Sequence, residues 1–315
     1  MATVSVIMPA YNVAEYIRAA VDSVKAQTVA DWELLIVDDG STDTTYGVAQ
    51  RLAATDARIK LLKKSNGGIS TARNTALLAS TGDFIAILDS DDKWEPTYLA
   101  EQLAIFALHP EVDIVTGNGW FLDGRLDGQV ARPYPDRRPE PTLQTILADE
   151  TSIFIMSVFR RRVYETIGGF DEGFRSNEDY DFWLRAAIAG FRFRRNDRPL
   201  CHYRRRDDSV SAVDTRMLTG ILRVYDKIRP LLADRAVELK ILEAQTARFE
   251  RESLAAHARQ ALSEGDVATA AAHLSALYAQ GGGPAIGVAS FMARHTPWLL
   301  ARAFQLRRTY YHGAL

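Results

Sequence analysis

The chain has 315 residues, of which 47% are hydrophobic, and a formal net charge of −2 at pH 7. Its length and composition indicate a globular protein of one large or two modest domains, and its charge argues against a general nucleic-acid binder, which carries a basic excess. The single cysteine, Cys201, excludes an internal disulfide framework and fits a reducing compartment.

Strands and helices are predicted to alternate in the first part of the chain. Apolar runs predict four strands, at Val4–Met8, Trp32–Val37, Ile59–Lys63 and Phe84–Leu88. Helices are predicted between them, ending near Gln27, Thr55 and Ser80. Asn12, followed three residues later by Glu15, predicts a cap for the first helix. This alternation predicts an α/β fold with a mostly parallel, Rossmann-like sheet flanked by helices.

The fourth strand leads directly into a cluster of acids. Phe84 to Leu88 are apolar in succession, which is typical of a strand buried on both faces, and Asp89, Asp91 and Asp92 follow. Ligands of open α/β sheets bind at the carboxyl ends of strands, and carboxylates this close repel one another unless they share a cation. Mg²⁺ or Mn²⁺, completed by phosphate oxygens, fits such a set. A solvated acidic turn before the next helix is the alternative.

Polar loops follow each of the four predicted strands. Tyr11, Asp39, Gly67 and Asp91 are therefore expected to meet at one edge of the sheet. The chain has neither G-x-G-x-x-G after the first strand nor G-x-x-x-x-G-K-[ST], which argues against a dinucleotide oxidoreductase and a P-loop enzyme. A nucleotide at this edge must be bound in another way.

Beyond Leu108 the pattern is less regular. Short strands are predicted at 113–116, 120–122, 153–160, 191–194 and 199–204. A proline-rich excursion from Pro133 to Pro141 could form a mobile loop over the site. Asn177 to Arg185 runs into a helix with Glu178 and Asp179 in its first turn, where the helix dipole alone would favour acids. The basic run that ends at Arg206 could pair with a diphosphate or could be a solvated cluster.

From about Ala212 the composition changes to Ala-, Leu- and Arg-rich helices, and no acid follows Asp266. We therefore predict a first domain at 1–211 and an α-helical extension at 212–315. The segment from Pro297 to Phe304 and the residues after it are apolar, aromatic and cationic. They could contact an anionic membrane surface, or pack on the first domain or on a second subunit.

The expected location is the cytoplasm, with contact to the inner face of the cytoplasmic membrane left open. No apolar run approaches the ~20 residues that span a bilayer. The first predicted strand begins almost at Met1, without a basic leader or a cleavage site.

Six motifs resemble those of the family 2 glycosyltransferases, which have the GT-A fold and transfer a sugar from a nucleotide-diphosphate donor. They are Val6–Asn12, Val37–Asp43, Asn66–Asn74, Leu88–Asp92, Gly169–Glu172 and Glu178–Asp181. Each motif alone is weak, but all six occur in the family's order at spacings that fit the alternating sheet. The resemblance covers most of the predicted first domain.

The resemblance implies roles in nucleotide binding. Pro9, Ala10 and Tyr11 would line the nucleotide pocket, with Tyr11 against the base. Asp39 would accept hydrogen bonds from the base edge, which is uracil in the most similar members. The remaining residues implied at the nucleotide or its metal shell are Gly67, Arg73, Asp89, Ser90 and Arg206.

The resemblance also implies the chemistry. Asp91, with Asp89, would hold the metal, and Asp179 matches the family's catalytic base, a role worth roughly 10²–10⁴-fold in rate. A single base opposite the leaving group implies inversion at the anomeric carbon. Many relatives carry a histidine where this chain has Arg206, which leaves the third metal ligand open.

The leading hypothesis is a metal-dependent, inverting glycosyltransferase of the hexosyltransferase class. Its donor would be a nucleotide sugar, UDP-linked by resemblance, and its acceptor a glycan or a lipid-linked saccharide in surface polysaccharide or glycoconjugate synthesis. Two alternatives remain: a sugar nucleotidyltransferase, which lacks support because the expected glycine-rich, lysine-bearing loop is absent, and a non-catalytic nucleotide-sugar-binding or scaffolding relative. Asp91 and Asp179 argue against the second alternative.

Overall fold

The structure is a computed structural model that describes residues 3–205, 214–300 and 302. These residues group into two units, one of residues 3–205 with 228–241 and one of 214–227 with 242–300 and 302. The predicted boundary between residues 211 and 212 falls outside the described ranges and stays a prediction.

The first unit is built around one sheet. Its strands are β1 (Val4–Ala10), β2 (Trp32–Asp38), β3 (Ile59–Lys63), β4 (Phe84–Ile87), β5 (Lys93–Trp94), β6 (Ile114–Leu122), β7 (Ser157–Arg160) and β8 (Phe193–Arg204). They lie in the order β3-β2-β1-β4-β7-β6-β8-β5. The first four strands are parallel, β7 is antiparallel to β4 and β6, and β8 is parallel to β6 and antiparallel to β5.

Helices flank this sheet and make up the second unit. They are α1 (Ile17–Lys25), α2 (Thr45–Ala53), α3 (Ile69–Ala79), α4 (Tyr98–Leu108), α5 (Leu143–Ala148), α6 (Arg161–Ile167), α7 (Glu178–Ile188), α8 (Asp214–Ile228), α9 (Ala236–Glu264), α10 (Val267–Ala279) and α11 (Pro284–His295). Short 3₁₀ turns occur at Gly124–Leu126 and Arg229–Leu232. The predicted α/β sheet with flanking helices and a helical C-terminal region is confirmed, with a mixed second half of the sheet.

The core of the first unit lies on the parallel strands. β1 and β2 are buried along their whole length, as expected of apolar strands covered on both faces. The register pairs Ala10 with Asp38 and Ile7 with Ile87. β1 and β2 therefore end opposite each other, whereas β4 ends earlier, opposite Ile7, and the loops that follow the three strands leave the sheet at the same edge.

Two pairs of predicted short strands are each one strand. The segments 113–116 and 120–122 belong to β6, and 191–194 and 199–204 belong to β8. The pairing continues through register shifts between Thr116 and Asn118 and between Asn118 and Gly119. A bulge of this kind lets a polar interruption in the sequence pass without ending the ladder.

The predicted cap of the first helix is wrong. α1 begins at Ile17, and Tyr16, the residue before it, makes no side-chain cap. Asn12 instead has a positive φ of 52°, and its Oδ1 accepts a hydrogen bond from the backbone N–H of Thr42 at 2.8 Å. The side chain is therefore used to join the loops after β1 and β2.

The second unit consists of helices packed through small and aliphatic side chains. Ala258, Leu274, Ala293 and Leu300 form its buried cluster. α10 is capped by Asp266, which accepts a hydrogen bond from the backbone N–H of Thr269 at 3.0 Å. Across the described ranges, every helix is too short or too polar to cross a membrane.

Candidate active site

The residues predicted to line a nucleotide pocket end β1. Pro9 and Ala10 are its last two residues and are buried. Tyr11 follows with 47% of its surface exposed. An exposed aromatic ring beside the ends of parallel strands can stack on a flat ligand such as a nucleobase.

Asp39 lies directly after β2, and its carboxylate is bound by the loop that follows β3. Lys64 Nζ donates to Asp39 Oδ1 at 2.6 Å, and the N–H of Gly67 donates to the same oxygen at 3.0 Å. The N–H of Gly68, the residue before α3, donates to Oδ2 at 2.8 Å. Asp39 therefore satisfies backbone donors at the amino end of α3, where helices leave N–H groups without intrahelical partners.

These contacts bear on the predicted role of Asp39 in base recognition. An ionised carboxylate offers about four acceptor positions, and three donors of the protein, one of them shared by both oxygens, bind this buried side chain. Contact with a base edge would therefore need one donor to be exchanged for the base. Lys64 is the donor that can move, because it is a side chain. Its Nζ also donates to Ser65 O and Thr71 Oγ1.

Arg73 joins two parts of the site that are far apart in sequence. Its guanidinium is 1% exposed and donates through Nη2 to Asp89 Oδ1 at 2.7 Å and through Nη1 to Glu178 Oε1 at 2.6 Å. Burial opposes its charge, but the carboxylates of Asp89 and Glu178 raise the pKa of Arg73 above its ordinary value. Arg73 thus fixes the first turn of α7 to the end of β4.

The acids after β4 are unequally buried. Asp92 is 1% exposed; its Oδ1 accepts from the N–H of Arg204 at 2.7 Å, whereas its buried Oδ2 has no hydrogen-bond partner. Burial, with the charges of Asp91 and Asp89, raises the pKa of Asp92 well above its ordinary value. Burial and the neighbouring carboxylates therefore disfavour the charged form of Asp92.

A divalent cation fits this cluster. The donors are carboxylate oxygens, which Mg²⁺ and Mn²⁺ prefer, and a cation would relieve the repulsion among Asp89, Asp91 and Asp92. Among the described residues, no group of three or more His, Cys, Asp or Glu side chains is arranged to hold a metal ion. Phosphate oxygens of a substrate and water commonly complete such a shell.

Asp179 lies in the first turn of α7 and is partly exposed. Burial and the charge of Glu178 raise the pKa of Asp179 to about 6, against the opposing charge of Arg73. A carboxylate with this pKa is ionised at neutral pH and is more basic than an ordinary aspartate. It can therefore accept a proton from an attacking hydroxyl.

The remainder of α7 holds this turn in place. Phe182 and Trp183 are buried, and the Phe182 ring stacks on Phe170 with 4.7 Å between centroids. Tyr180 OH donates to Ile146 O of α5 at 3.0 Å. The predicted helix with Glu178 and Asp179 in its first turn is confirmed.

Arg206, which was predicted to contact a diphosphate, lies outside the described ranges. Its neighbour Arg204 lies at the acid cluster, where Nε donates to Asp91 O at 2.9 Å. Ser90, predicted at the ribose or metal shell, is 4% exposed. Sequence reasoning missed the pairing of Arg73 with Glu178, which spans 105 positions, and the contact of Arg204, for which the basic run 204–206 was a signal.

Comparison with known proteins gives the family. A model of glycosyl transferase family 2 matches residues 5–168. The chain belongs to this family. Among curated relatives of this family-2 chain, the uncharacterized glycosyltransferase EpsJ of Bacillus subtilis is 34% identical over 220 residues, which are 67% of this chain and 63% of EpsJ.

A second relative has a more specific name. It is the UDP-Glc:alpha-D-GlcNAc-diphosphoundecaprenol beta-1,3-glucosyltransferase WfgD of Escherichia coli, 36% identical over 183 residues, 58% of this chain and 68% of WfgD. Among solved structures, a mannosyltransferase of Pyrobaculum calidifontis in complex with GDP-Man and Mn²⁺ superposes with a TM-score of 0.62 at 23% identity, covering 96% of this chain and 85% of its own. The fold is that of GT-A glycosyltransferases.

The family model matches only part of the candidate site of this chain. The matched range includes β1 to β4, Asp39, Arg73 and the acids after β4, and it ends before α7. Glu178, the residue before Asp179, is joined to the matched range by its ion pair with Arg73. The assignments of individual site residues stay predictions.

Proposed function

We propose that this protein is an inverting hexosyltransferase that moves a sugar from a UDP-sugar to a glycan or lipid-linked acceptor. The observation that carries the proposal is the Arg73 guanidinium, which joins Asp89, beside the proposed metal ligand Asp91, to Glu178, beside the proposed base Asp179. A donor diphosphate and an acceptor hydroxyl need these two kinds of group near each other.

In this proposal each side chain has one task. Asp179 removes the proton of the acceptor hydroxyl as that oxygen attacks the anomeric carbon, and one displacement from the side opposite the diphosphate inverts this carbon. Tyr11 stacks on the base and Asp39 accepts from its edge once Lys64 has moved. A divalent cation at Asp91 and Asp89, when bound, neutralises charge on the departing diphosphate.

The donor and acceptor are proposed from the relatives. The name of WfgD specifies UDP-Glc and a saccharide on diphosphoundecaprenol, and the Pyrobaculum calidifontis enzyme was solved with Mn²⁺. We infer the same classes here: a UDP-sugar, Mg²⁺ or Mn²⁺, and an acceptor carried on a lipid or a growing surface glycan. Such an acceptor places the reaction at the inner face of the cytoplasmic membrane.

Nucleotide titration tests the donor site. Purified protein is titrated calorimetrically with UDP, GDP, CDP and dTDP, each with and without Mn²⁺. We expect UDP to bind tightly only with Mn²⁺, and Asp91→Asn to remove the metal dependence. UDP binding that is equally tight without Mn²⁺ would contradict the assignment of Asp91. Equal binding of all four nucleotides would contradict the assignment of Asp39.

Substitution of the base tests the chemistry. Asp179→Asn keeps the size of the side chain, but an amide cannot accept the proton. Transfer to sugars linked to a lipid diphosphate should therefore fall by roughly 10²-fold or more. Binding of UDP with Mn²⁺ should be unchanged. Glu165→Gln, which removes an exposed carboxylate from α6, is the matched control. If Asp179→Asn retained full turnover, Asp179 would not be the base.

A further inference from the structure

Large apolar side chains are exposed along α10 and α11 and on the residues after them. They are Tyr278 (54% exposed), Val288 (59%), Phe291 (62%), Trp298 (64%) and Leu299 (39%). We call these residues the α10–α11 face. Val288 and Phe291 follow one another at helical spacing on α11, and the Tyr278 ring lies against Gly287, where an added Cβ would be 2.7 Å from it.

The opposite side of α11 already has its packing partners. Ala293 is buried with Leu274 and Ala258, and Ile286, Ala289 and Met292 pack against the same cluster. The helix thus buries one side within its own unit and exposes bulky aromatic groups on the other. Soluble surfaces usually expose large apolar residues singly, and a cluster of them indicates a binding surface.

The charged residues of this segment have one sign. Arg294, His295 and Arg302 are exposed, the His295 ring packs on Phe291 with 4.4 Å between centroids, and Arg294 Nη2 donates to Ser275 Oγ at 2.7 Å. The sequence contains no Asp or Glu after Asp266. A partner of this face must therefore bring the negative charge itself.

This charge pattern disfavours a second copy of the chain as the partner. A two-fold interface places the same patch on both sides. Arg294 and Arg302 would then meet side chains of the same segment, which contains no acid to compensate them. A bilayer with anionic headgroups supplies the missing charge and also accepts Trp, Tyr and Phe at its interface.

We propose that the α10–α11 face binds the surface of an anionic phospholipid bilayer. α11 lies in the plane of the interface, with Phe291 and Trp298 inserted below the headgroups and Arg294 and Arg302 among the phosphates. The inference extends the proposed location of the reaction by naming the surface that makes the contact. It does not depend on the transfer chemistry, so a failure of membrane binding leaves the tests of Asp91 and Asp179 valid.

Vesicle flotation of the full chain tests this proposal. The probes are vesicles of phosphatidylcholine alone and of phosphatidylcholine with phosphatidylglycerol. We expect binding to the anionic vesicles and not to the neutral ones, weakened by added salt because charge attraction is screened. Equal binding to both vesicles, or to neither, would overturn the proposal.

Tryptophan fluorescence locates the contact. Of the five tryptophans, Trp32, Trp94 and Trp183 are buried and Trp120 is half-buried on β6, whereas Trp298 is 64% exposed. Anionic vesicles should therefore shift the emission to shorter wavelength, and brominated lipids should quench it. Trp298→Phe should remove both changes while the chain still binds. A shift that persists in Trp298→Phe would place the contact elsewhere.

Substitutions separate the apolar and the charged contributions. Phe291→Ser with Trp298→Ser should weaken vesicle binding by about tenfold or more, and Arg294→Gln by about fivefold. Leu108→Ser is the matched control, because Leu108 is 75% exposed at the end of α4. Circular dichroism establishes that each variant is folded.

Two further results would overturn the proposal. Equal losses in Leu108→Ser would show that exposed apolar area in general drives binding. Concentration-dependent dimers that Phe291→Ser abolishes would assign the face to a second copy. Sedimentation velocity of the chain and of this variant gives the second result directly.

Discussion

At the scale of single residues, the raised pKa of Asp179 predicts how the reaction depends on pH. Burial and the Glu178 charge bring this pKa to about 6, and a general base acts only when deprotonated. We expect kcat/KM to be constant above about pH 7 and to fall about tenfold per pH unit well below pH 6. Initial rates between pH 5 and 8 measure this profile.

A substitution at Glu178 checks the cause of that shift. Glu178→Gln removes the neighbouring negative charge, so the inflection should move to lower pH. An inflection that stayed in place or moved upward would show that Glu178 does not set the pKa of Asp179.

Substitution of Arg73 is expected to lower the stability of the protein strongly. Its guanidinium is buried between Asp89 and Glu178, and Arg73→Leu would leave these carboxylates without their cation. We expect the free energy of unfolding to fall by about 3–5 kcal/mol in urea denaturation. Arg198→Leu breaks the solvent-exposed pair with Glu101 and should cost about 0–1 kcal/mol. Equal losses would mean that Arg73 is not a structural bridge.

At the scale of elements, the close approach of the residues before β4 to β1 depends on a glycine. A Cβ at Gly82 would lie 2.6 Å from the backbone N of Ser5 and 2.9 Å from the backbone C of Val4. Gly82→Ala must therefore push β4 and β1 apart, and we expect a loss of about 1–3 kcal/mol. Thermal and urea unfolding measure it.

Gly47→Ala is the matched control for this prediction. Gly47 lies inside α2, and the nearest atom to its Cβ would be 3.7 Å away, on the Arg51 side chain. The substitution should stabilise the protein by about 0.5–1 kcal/mol, because alanine loses less backbone entropy in a helix. If Gly82→Ala behaved like Gly47→Ala, the strands would not be held at the observed spacing.

At the scale of the whole molecule, the chain returns to its first unit after leaving it. Residues 228–241 belong to this unit; Leu232 is fully buried there, and Arg235 Nη2 donates to Ile188 O at 2.9 Å. Leu232→Ala should cost about 2–5 kcal/mol by opening a cavity. Leu231→Ala, at a position 51% exposed, should change stability by less than about 0.5 kcal/mol. Similar effects of both would contradict this packing.

The sequence by itself determined the parallel half of the sheet and the groups at its edge. Continuous apolar runs such as Leu34–Val37 and Phe84–Leu88 specify buried strands, and each ends in polar residues, so Asp39 and Asp91 follow strands by local pattern alone. The first turn of α7 could also be predicted from local pattern, because acids precede aromatics at helical spacing. The family followed from the order of these local motifs.

Only the tertiary structure decided which of these groups hold one another. The ion pair of Arg73 with Glu178 spans 105 positions, and the contact of Lys64 with Asp39 spans 25. Asn12 has the local pattern of a helix cap but binds the loop after β2. Local periodicity reports which face of an element is buried, whereas side-chain partners depend on which elements the fold brings together, and that information is spread along the whole chain.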